Sequence, residues 1–464
     1  MNRFTMRPSP TKEEKVTLRS GTRWRTRAAI SLAALAVLSV SGCTSGGPGS
    51  QVAGDAKQTI NWWSWNPNDA SSEQWISAFE KEHPNITVKH RYIMYNNYVN
   101  AVRLAASTSS GPDVFGVQAG AITTNFAHLT VDLAPLASRN IGSDWRRQLA
   151  ETDQLAAQGK QVALPWMITG SGTLWYNRGL LRHASVPGPP ATLDDWLAAC
   201  EKIEAIGKTC FVQGAKDDWV NIDMYQSIIN QIAPGVFYDA VQGKSSAAFD
   251  SPAFVRAFRI WESFFSNGIV QPGALGQTQS PDAKDAFLKG QAAFILLGTF
   301  QNANMSKHEL TLLADTYGDQ VKSQVFLPAP FPDVVGGAKE IGRLFGGPDV
   351  GWSISAQSEH RAAAFTFVKW LTASTTAQKM MGSTLAGQPA LKSVPVDDSG
   401  VENAAGKTVL KEQAEQLSHL IGPRQIPTAE VQIALGLALS SVASGQISPE
   451  EAAESVRSAV DALK

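Results

Sequence analysis

Seven histidines (His83, His90, His128, His183, His308, His360 and His419) fall singly along this chain, without the spacing that sets two imidazoles on one helix face for a metal. No Gly-x-Ser-x-Gly elbow presents a nucleophile, and no Gly-x-x-x-x-Gly-Lys-Ser/Thr loop could cradle a phosphate. Asp194-Asp195 and Asp217-Asp218 are adjacent carboxylates. The first pair fits the capping of a helix start, the second a solvated loop. Glycoside hydrolysis needs two carboxyls held across a scissile bond, and neither pair suggests that arrangement. No catalytic residue, metal ligand or cofactor set is assigned.

Aromatic residues beside turns stand out instead. Trp65-Asn66-Pro67-Asn68 follows a strand-like run, Trp166 follows Leu164-Pro165, and Trp219 follows Asp217-Asp218. Phe300-Gln301-Asn302 comes just after an apolar strand, and Trp352 follows Gly351. In open α/β sheets ligands sit beyond the carboxyl ends of strands. A sugar ring offers apolar C–H faces and a rim of hydroxyls. Flat aromatic faces cover the first, and Asn, Gln, Asp and Arg bond the second. These five aromatics are candidate ligand contacts, whereas Trp62, Trp75, Trp196 and Trp370 read as core.

The elements that must position them follow from periodicity. Thr59–Trp65 reads as a strand, Ser72–Lys81 as a helix with Trp75, Ile76 and Phe79 on one face, and Ile86–Tyr92 as an alternating strand. A helix from Tyr98 and a strand at Pro112–Val117 complete a β-α-β-α-β order, which argues for a doubly wound sheet with parallel strands. Thr192-Leu-Asp-Asp195 forms a capping box for a helix ending near Gly207, with a short strand at Cys210. Ser251-Pro252 opens a helix whose Phe254, Phe258, Trp261 and Phe265 form one apolar stripe. Ala292–Leu297 is a buried strand by its continuous apolar run. Helices over 428–443 and 448–463 end the chain, the second opened by Ser448-Pro-Glu-Glu451.

The N-terminus carries a different signal. Eight Lys/Arg precede the apolar run Ala28–Val40, and Ser41-Gly42-Cys43 follows it. These are the n-region, h-region and small-residue cleavage site of a secretory signal. The run is shorter than the roughly 20 residues a spanning helix needs. Val40-Ser41-Gly42-Cys43 resembles the bacterial lipobox, which implies cleavage before Cys43 and lipidation of its thiol. Residues 1–42 are then a lipoprotein signal peptide and 43–57 a Gly/Ser-rich tether reaching roughly 20 Å. Removing the leader's eight basic and two acidic residues from a chain with 40 and 41 leaves 32 against 39, net −7. That acidity argues against nucleic-acid binding, which wants a basic footprint. Contact with the membrane is expected through the lipid alone, on the extracytoplasmic face. Outside the cytoplasm Cys200 and Cys210 are expected to form a disulfide; free thiols are the alternative, and their spacing is not that of a Cys-x-x-Cys redox pair.

Taken together, residues 57–464 resemble the extracellular solute-binding proteins of the sugar-binding group, the substrate receptors of ABC importers. Several loose motifs carry the likeness in order. They are Ser110-Gly-Pro-Asp-Val114, Gln161-Val-Ala-Leu-Pro165 through Leu174-Trp-Tyr-Asn177, Thr192-Leu-Asp-Asp-Trp196, Phe287-Leu-Lys-Gly-Gln-Ala-Ala-Phe294, Val350-Gly-Trp-Ser-Ile-Ser355 and the helix from Phe365 to Gln378. The resemblance implies a two-lobed α/β fold, each lobe a doubly wound sheet flanked by helices, with ligand in the cleft. It implies lobe one at 57–166 plus 333–385 and lobe two at 167–332 plus 386–464. Site residues implied at the matching positions are Trp65, Asn66, Gln118, Gly120, Trp166, Trp219, Phe300 and Trp352. It also implies a monomer without cofactor that captures a carbohydrate, expected to be a small oligosaccharide, by hinge closure and hands it to a membrane permease. Another polar solute, such as a polyol or glycerophosphodiester, stays open because Arg343 and Arg424 fall in cleft-side loops. A glycan-degrading enzyme is the remote alternative.

Overall fold

Short strand segments scattered along the chain assemble into two main sheets. The computed structural model describes residues 57–108, 110–242, 248–249 and 251–463; the leader, Cys43 and the tether as far as residue 56 lie outside the described residues. In chain order the strands are β1 Gln58–Ser64, β2 Ile86–Tyr92, β3 Val114–Val117, β4 Ala156–Ala157, β5 Lys160–Gln161 and β6 Leu164–Ser171. They continue with β7 Thr173–Asn177, β8 Thr209–Val212, β9 Ala292–Leu297, β10 Phe326–Pro330, β11 Phe345–Ile354 and β12 Gln388–Pro389.

The first sheet has the order β12-β6-β11-β3-β1-β2, the second β10-β7-β9-β8, and β4-β5 is a small hairpin. Within the first, β1 runs parallel to β2 and β3, with Ile60 beside Val88 and Trp62 beside Val114. That is the parallel arrangement expected from β-α-β-α-β. Strand β11 then enters antiparallel to both β3 and β6, so the complete sheet is mixed. The second is mixed as well: β7 is antiparallel to β9 and β10, while β8 is parallel to β9.

The chain passes between the sheets at 171–173, where β6 leads into β7, and returns between β10 and β11. A third pass follows β12. The expected division ended the first lobe at 385, but Gln388–Pro389 pairs with β6, and Leu391 and Val394 join the core beneath that sheet. The first lobe's sheet therefore continues past residue 385, and β6 carries it past the expected bound at 166 as far as Ser171, whereas Asp333 and Val334, expected in the first lobe, pack with the second.

Helix ends follow local chemistry. Thr192 and Asp195 form a reciprocal capping box for Leu193–Ala205, as Ser448 and Glu451 do for Pro449–Asp461. Ser251 caps Pro252–Ser266, whose Phe254, Phe258 and Trp261 are fully buried against the closing helices. Trp261 Nε1–H donates to the Leu439 carbonyl at 2.9 Å, so its polar edge is satisfied.

Cys200, on the buried face of its helix, is disulfide-bonded to Cys210 on β8, with Cα atoms 4.8 Å apart. The bridge staples a helix to the strand that follows it. Replacing both cysteines by alanine lowers stability by about 2–3 kcal/mol, since the closed loop is short. Thermal denaturation reads this out, and an unchanged midpoint would show the bridge to be mechanically idle.

Candidate ligand-binding site

The polypeptide after β1 turns sharply at Asn66-Pro67, a cis peptide, and Asn68 caps the helix Asp69–Glu82. This places the Trp65 ring against Gly116 of β3, where a Cβ would stand 2.8 Å from the indole. Only glycine leaves that space. Tyr98 meets the same indole edge-on at 4.7 Å, and Tyr95 does so at 5.7 Å.

A cluster of three side chains holds the turn from behind, with Ser64 and the His90 ring covered and Asp69 at the surface. His90 Nε2 lies 2.7 Å from Ser64 Oγ, and His90 Nδ1 lies 2.9 Å from Asp69 Oδ1. The trio looks like a hydrolytic triad. However, Ser64 is fully buried and its hydroxyl donates to the Pro67 carbonyl at 2.7 Å. The hydroxyl proton is committed and no substrate can reach the oxygen, so the cluster is a clasp on the Trp65 turn. Burial lowers the His90 pKa despite the opposing pull of Asp69.

Beyond the clasp lies a cavity of about 180 Å³. From the first sheet's side it is lined by Trp65, Tyr95, Asn96, Gln118 and Asp349. Asp217, Trp219, Ser280 and Phe300 line it from the second sheet's side, and Arg424 and Gln425 complete the lining. Trp219 and Phe300 meet edge to face, with centroids 6.4 Å apart. The cavity thus has indole faces on two sides and a rim of amide, carboxyl and guanidinium groups.

The rim is a continuous network. Tyr95 Oη–H donates to Gln118 Oε1 at 2.7 Å, and Gln118 Nε2–H donates to Asp349 Oδ1 at 2.5 Å. Arg424 Nε–H reaches both Asp223 oxygens at 3.0 Å, and its Nη2 lies 2.9 Å from Oδ2. Its Nη1 lies 3.6 Å from Asp349. Ser171 donates to the same Asp223 at 2.7 Å, and Gln226 donates to the Arg424 carbonyl at 2.9 Å. The guanidinium carbon sits 5.3 Å from the Trp219 ring centre and 5.4 Å from that of Phe300.

Burial raises the Asp349 pKa against the opposing pull of Arg424 and Gln118, and burial pushes Tyr95 up to about 12. For Arg424, burial works against the charge, but Asp223 and Asp349 outweigh it and hold the group above its ordinary value. Burial likewise raises Asp217.

Five of the expected contacts meet at this cavity: Trp65, Gln118, Trp219, Phe300 and Arg424. Asn66 is half-buried in the adjoining turn and is not among the lining residues. Gly120, at φ +85°, faces a neighbouring cavity that shares Gln425 with the first. A Cβ there would stand 2.5 Å from Gln425 Cβ, so the glycine lets the 423–427 segment close onto the first lobe.

Trp166 and Trp352 are not at the cavity. They are 1% and 0% exposed and lie inside the first lobe's core, 5.5 Å apart, flanked by Trp75 and Trp62. Pro165 and Gly351 suggest turns, yet they pair with each other inside the β6–β11 ladder, one pair from its end, next to a register shift at Val350. Central strands covered on both faces bury their large side chains.

Arg343 also lies elsewhere; it pairs with Glu340 and donates to the His419 carbonyl. Tyr95, Asp217 and Asp349 were missed as contacts. Asp217 reads as a solvated loop residue in the sequence, and Asp349 follows Gly346-Gly347-Pro348 within β11, where the glycines are the available signal.

Residues 62–378 match the family described as bacterial extracellular solute-binding protein. The chain belongs to this family. An extracellular solute-binding protein fits an extracytoplasmic location, and among the described residues no helix is long and apolar enough to cross a membrane. Curated relatives include an uncharacterised ABC transporter extracellular-binding protein of Pyrococcus horikoshii, 21% identical over 53% of this chain and 56% of that protein. Another is the galactooligosaccharide-binding protein of Bacillus subtilis, 24% identical over 50% of this chain and 54% of its own length. The chain spans about half the length of these relatives. Among solved structures, one from work on xylan utilisation by Caldanaerobius polysaccharolyticus superposes with a TM-score of 0.71, 22% identity, and 86% and 99% coverage of the two chains. The GacH receptor of Streptomyces glaucescens, solved without ligand and with acarbose, gives 0.68, 22%, and 88% and 98%. At that identity these likenesses establish the two-lobed fold of this solute-binding protein.

Proposed function

We propose that this chain is the carbohydrate receptor of an ABC importer. The single observation that carries the reading is the cavity between the two sheets, with Trp65 on one side and Trp219 and Phe300 on the other. Faces that cover a sugar's C–H surfaces stand beside Gln118, Asp349 and Asp217, which can bond its hydroxyls. The names of several relatives, among them a galactooligosaccharide-binding protein, agree with a small oligosaccharide as cargo. A ligand touching both sides favours the closed form by its differential affinity, and a permease then receives it. The protein acts by binding, as a monomer, without chemistry on the sugar. Lobe one comprises 57–171 plus 345–394, and lobe two the rest of the chain from 172 onward. Cys43 carries the lipid that keeps the receptor near its permease, so Cys43→Ala releases it from membranes with ligand affinity unchanged.

Tryptophan fluorescence tests the reading. Trp65 and Trp219 lose water when a sugar enters, so emission shifts on titration with the right oligosaccharide. Silence across a broad panel of oligosaccharides and polyols would sink the proposal.

A further inference from the structure

The charge balance of the cavity says more about its occupant than the aromatic faces do. Arg424 is the lone Lys or Arg among the lining residues, and it is already bound in fork geometry to Asp223. Asp349 and Asp217 line the same cavity. Asp223 and Asp349 flank the guanidinium, while Asp217 has Lys216, Asp218 and Asp282 as its charged neighbours, so carboxylates outnumber cations around the cavity.

The two cavity acids are only half engaged. Asp349 Oδ1 takes the Gln118 amide and faces Arg424, while its Oδ2 accepts no hydrogen bond among the described residues. Asp217 occupies the N-cap position of Asp218–Ile232 but makes no capping bond; one of its oxygens instead accepts the Gln279 N–H at 2.9 Å. Its other oxygen likewise has no donor among the described residues. Burial holds both acids above the usual carboxylate range, the response of groups with too little compensating charge.

A second observation concerns the rings. The cavity's rings already carry a cation, because the Arg424 guanidinium lies over both Trp219 and Phe300. Ring faces attract positive charge and repel negative charge. The protein's own side chain thus reports what these walls stabilise. An acidic sugar would add a like charge to a poorly solvated space, a neutral sugar would leave the imbalance standing, and a protonated amine would relieve it.

We infer that this receptor selects an amine-bearing sugar over neutral and acidic sugars of the same backbone, its ammonium taken up by the free oxygens of Asp349 and Asp217 beside the faces of Trp219 and Phe300. The inference rests on the carbohydrate reading above and narrows it. Asp349 and Asp217 are then the residues that set specificity.

Calorimetric titration tests it with three probes sharing one backbone: cellotriose, the corresponding glucosamine trimer, and a cellotriose oxidised to carry a uronate. Maltotriose and xylotriose serve as further neutral sugars. At about pH 6 the amine is protonated. The glucosamine trimer is expected to bind about tenfold or more tighter than cellotriose, with the uronate weakest. Raising the salt concentration shrinks that ratio and leaves neutral-sugar affinity in place. Asp349→Asn and Asp217→Asn, each verified as folded by circular dichroism, bring the ratio towards one. Neutral sugars binding as well as or better than the amine overturns the inference while the carbohydrate reading stands, as does an amine advantage indifferent to salt and to both variants. Failure of every sugar in the set to bind overturns the carbohydrate reading itself.

Discussion

Arg424→Met lowers the unfolding free energy by about 3–5 kcal/mol, because it strands two buried carboxylates rather than because it removes attraction alone. Asp223 is 4% exposed and Asp349 13% exposed, and Arg424 is the cation within reach of both. Asp223 would keep the Ser171 hydroxyl and Asp349 the Gln118 amide, neither of which carries charge. The pH dependence gives the cause away. Burial already holds the Asp349 pKa above its unfolded value, and loss of Arg424 raises it further. Above its unfolded pKa the native carboxyl then binds more protons than the unfolded one, so stability falls as pH rises through the raised value. The deficit of the variant is accordingly largest near neutrality and narrows towards about pH 4. Adding Asp223→Asn to Arg424→Met recovers part of the loss by removing one stranded charge. Urea denaturation at several pH values measures all three effects. A deficit that stays constant with pH would locate the cost elsewhere, for instance in lost packing over Trp219.

What the sequence disclosed depended on how local the cause was. Thr192 with Asp195, Ser448 with Glu451, and Ser251 before Pro252 are contacts within three residues, so helix starts were readable. Trp219 and Phe300 were found because each sits next to an element boundary, at the start of a helix and just after β9. Asp349 could not be found that way. Its partner Gln118 is 231 residues distant, and only the antiparallel entry of β11 beside β3 brings them together. The His90 clasp is similar: Ser64 and Asp69 reach it through the parallel register of β1 and β2, which no spacing rule encodes. The β12 pairing was hidden for a different reason. Two residues are too short a strand to leave a periodic signal, so a boundary drawn by resemblance at 385 fell before it.

Trp352 and Trp219 read alike in the sequence, each beside a turn-forming or polar residue, yet their alanine variants are expected to fail in opposite ways. Trp352→Ala removes a fully buried indole packed 5.1 Å from Trp62 and 5.5 Å from Trp166. The surrounding strands β6 and β11 are pinned by their ladder and cannot collapse into the space. Stability should drop by about 3–5 kcal/mol, while the folded fraction binds ligand with unchanged affinity. Trp352→Phe keeps most of the volume and recovers much of that loss. Trp219 is half-buried, with its ring facing the cavity beside Phe300. Trp219→Ala should cost less stability than Trp352→Ala, since its ring is only half-buried. Its affinity for a sugar should fall by about 1–3 kcal/mol, the value of a stacked face that ligand binding removes from water. Thermal melts paired with calorimetric titrations separate the two outcomes. Trp352→Ala weakening affinity without loss of stability would return that residue to the site, and Trp219→Ala destabilising the fold with affinity intact would make it core. Either reversal would move the binding surface away from the cavity that Trp65, Trp219 and Phe300 enclose.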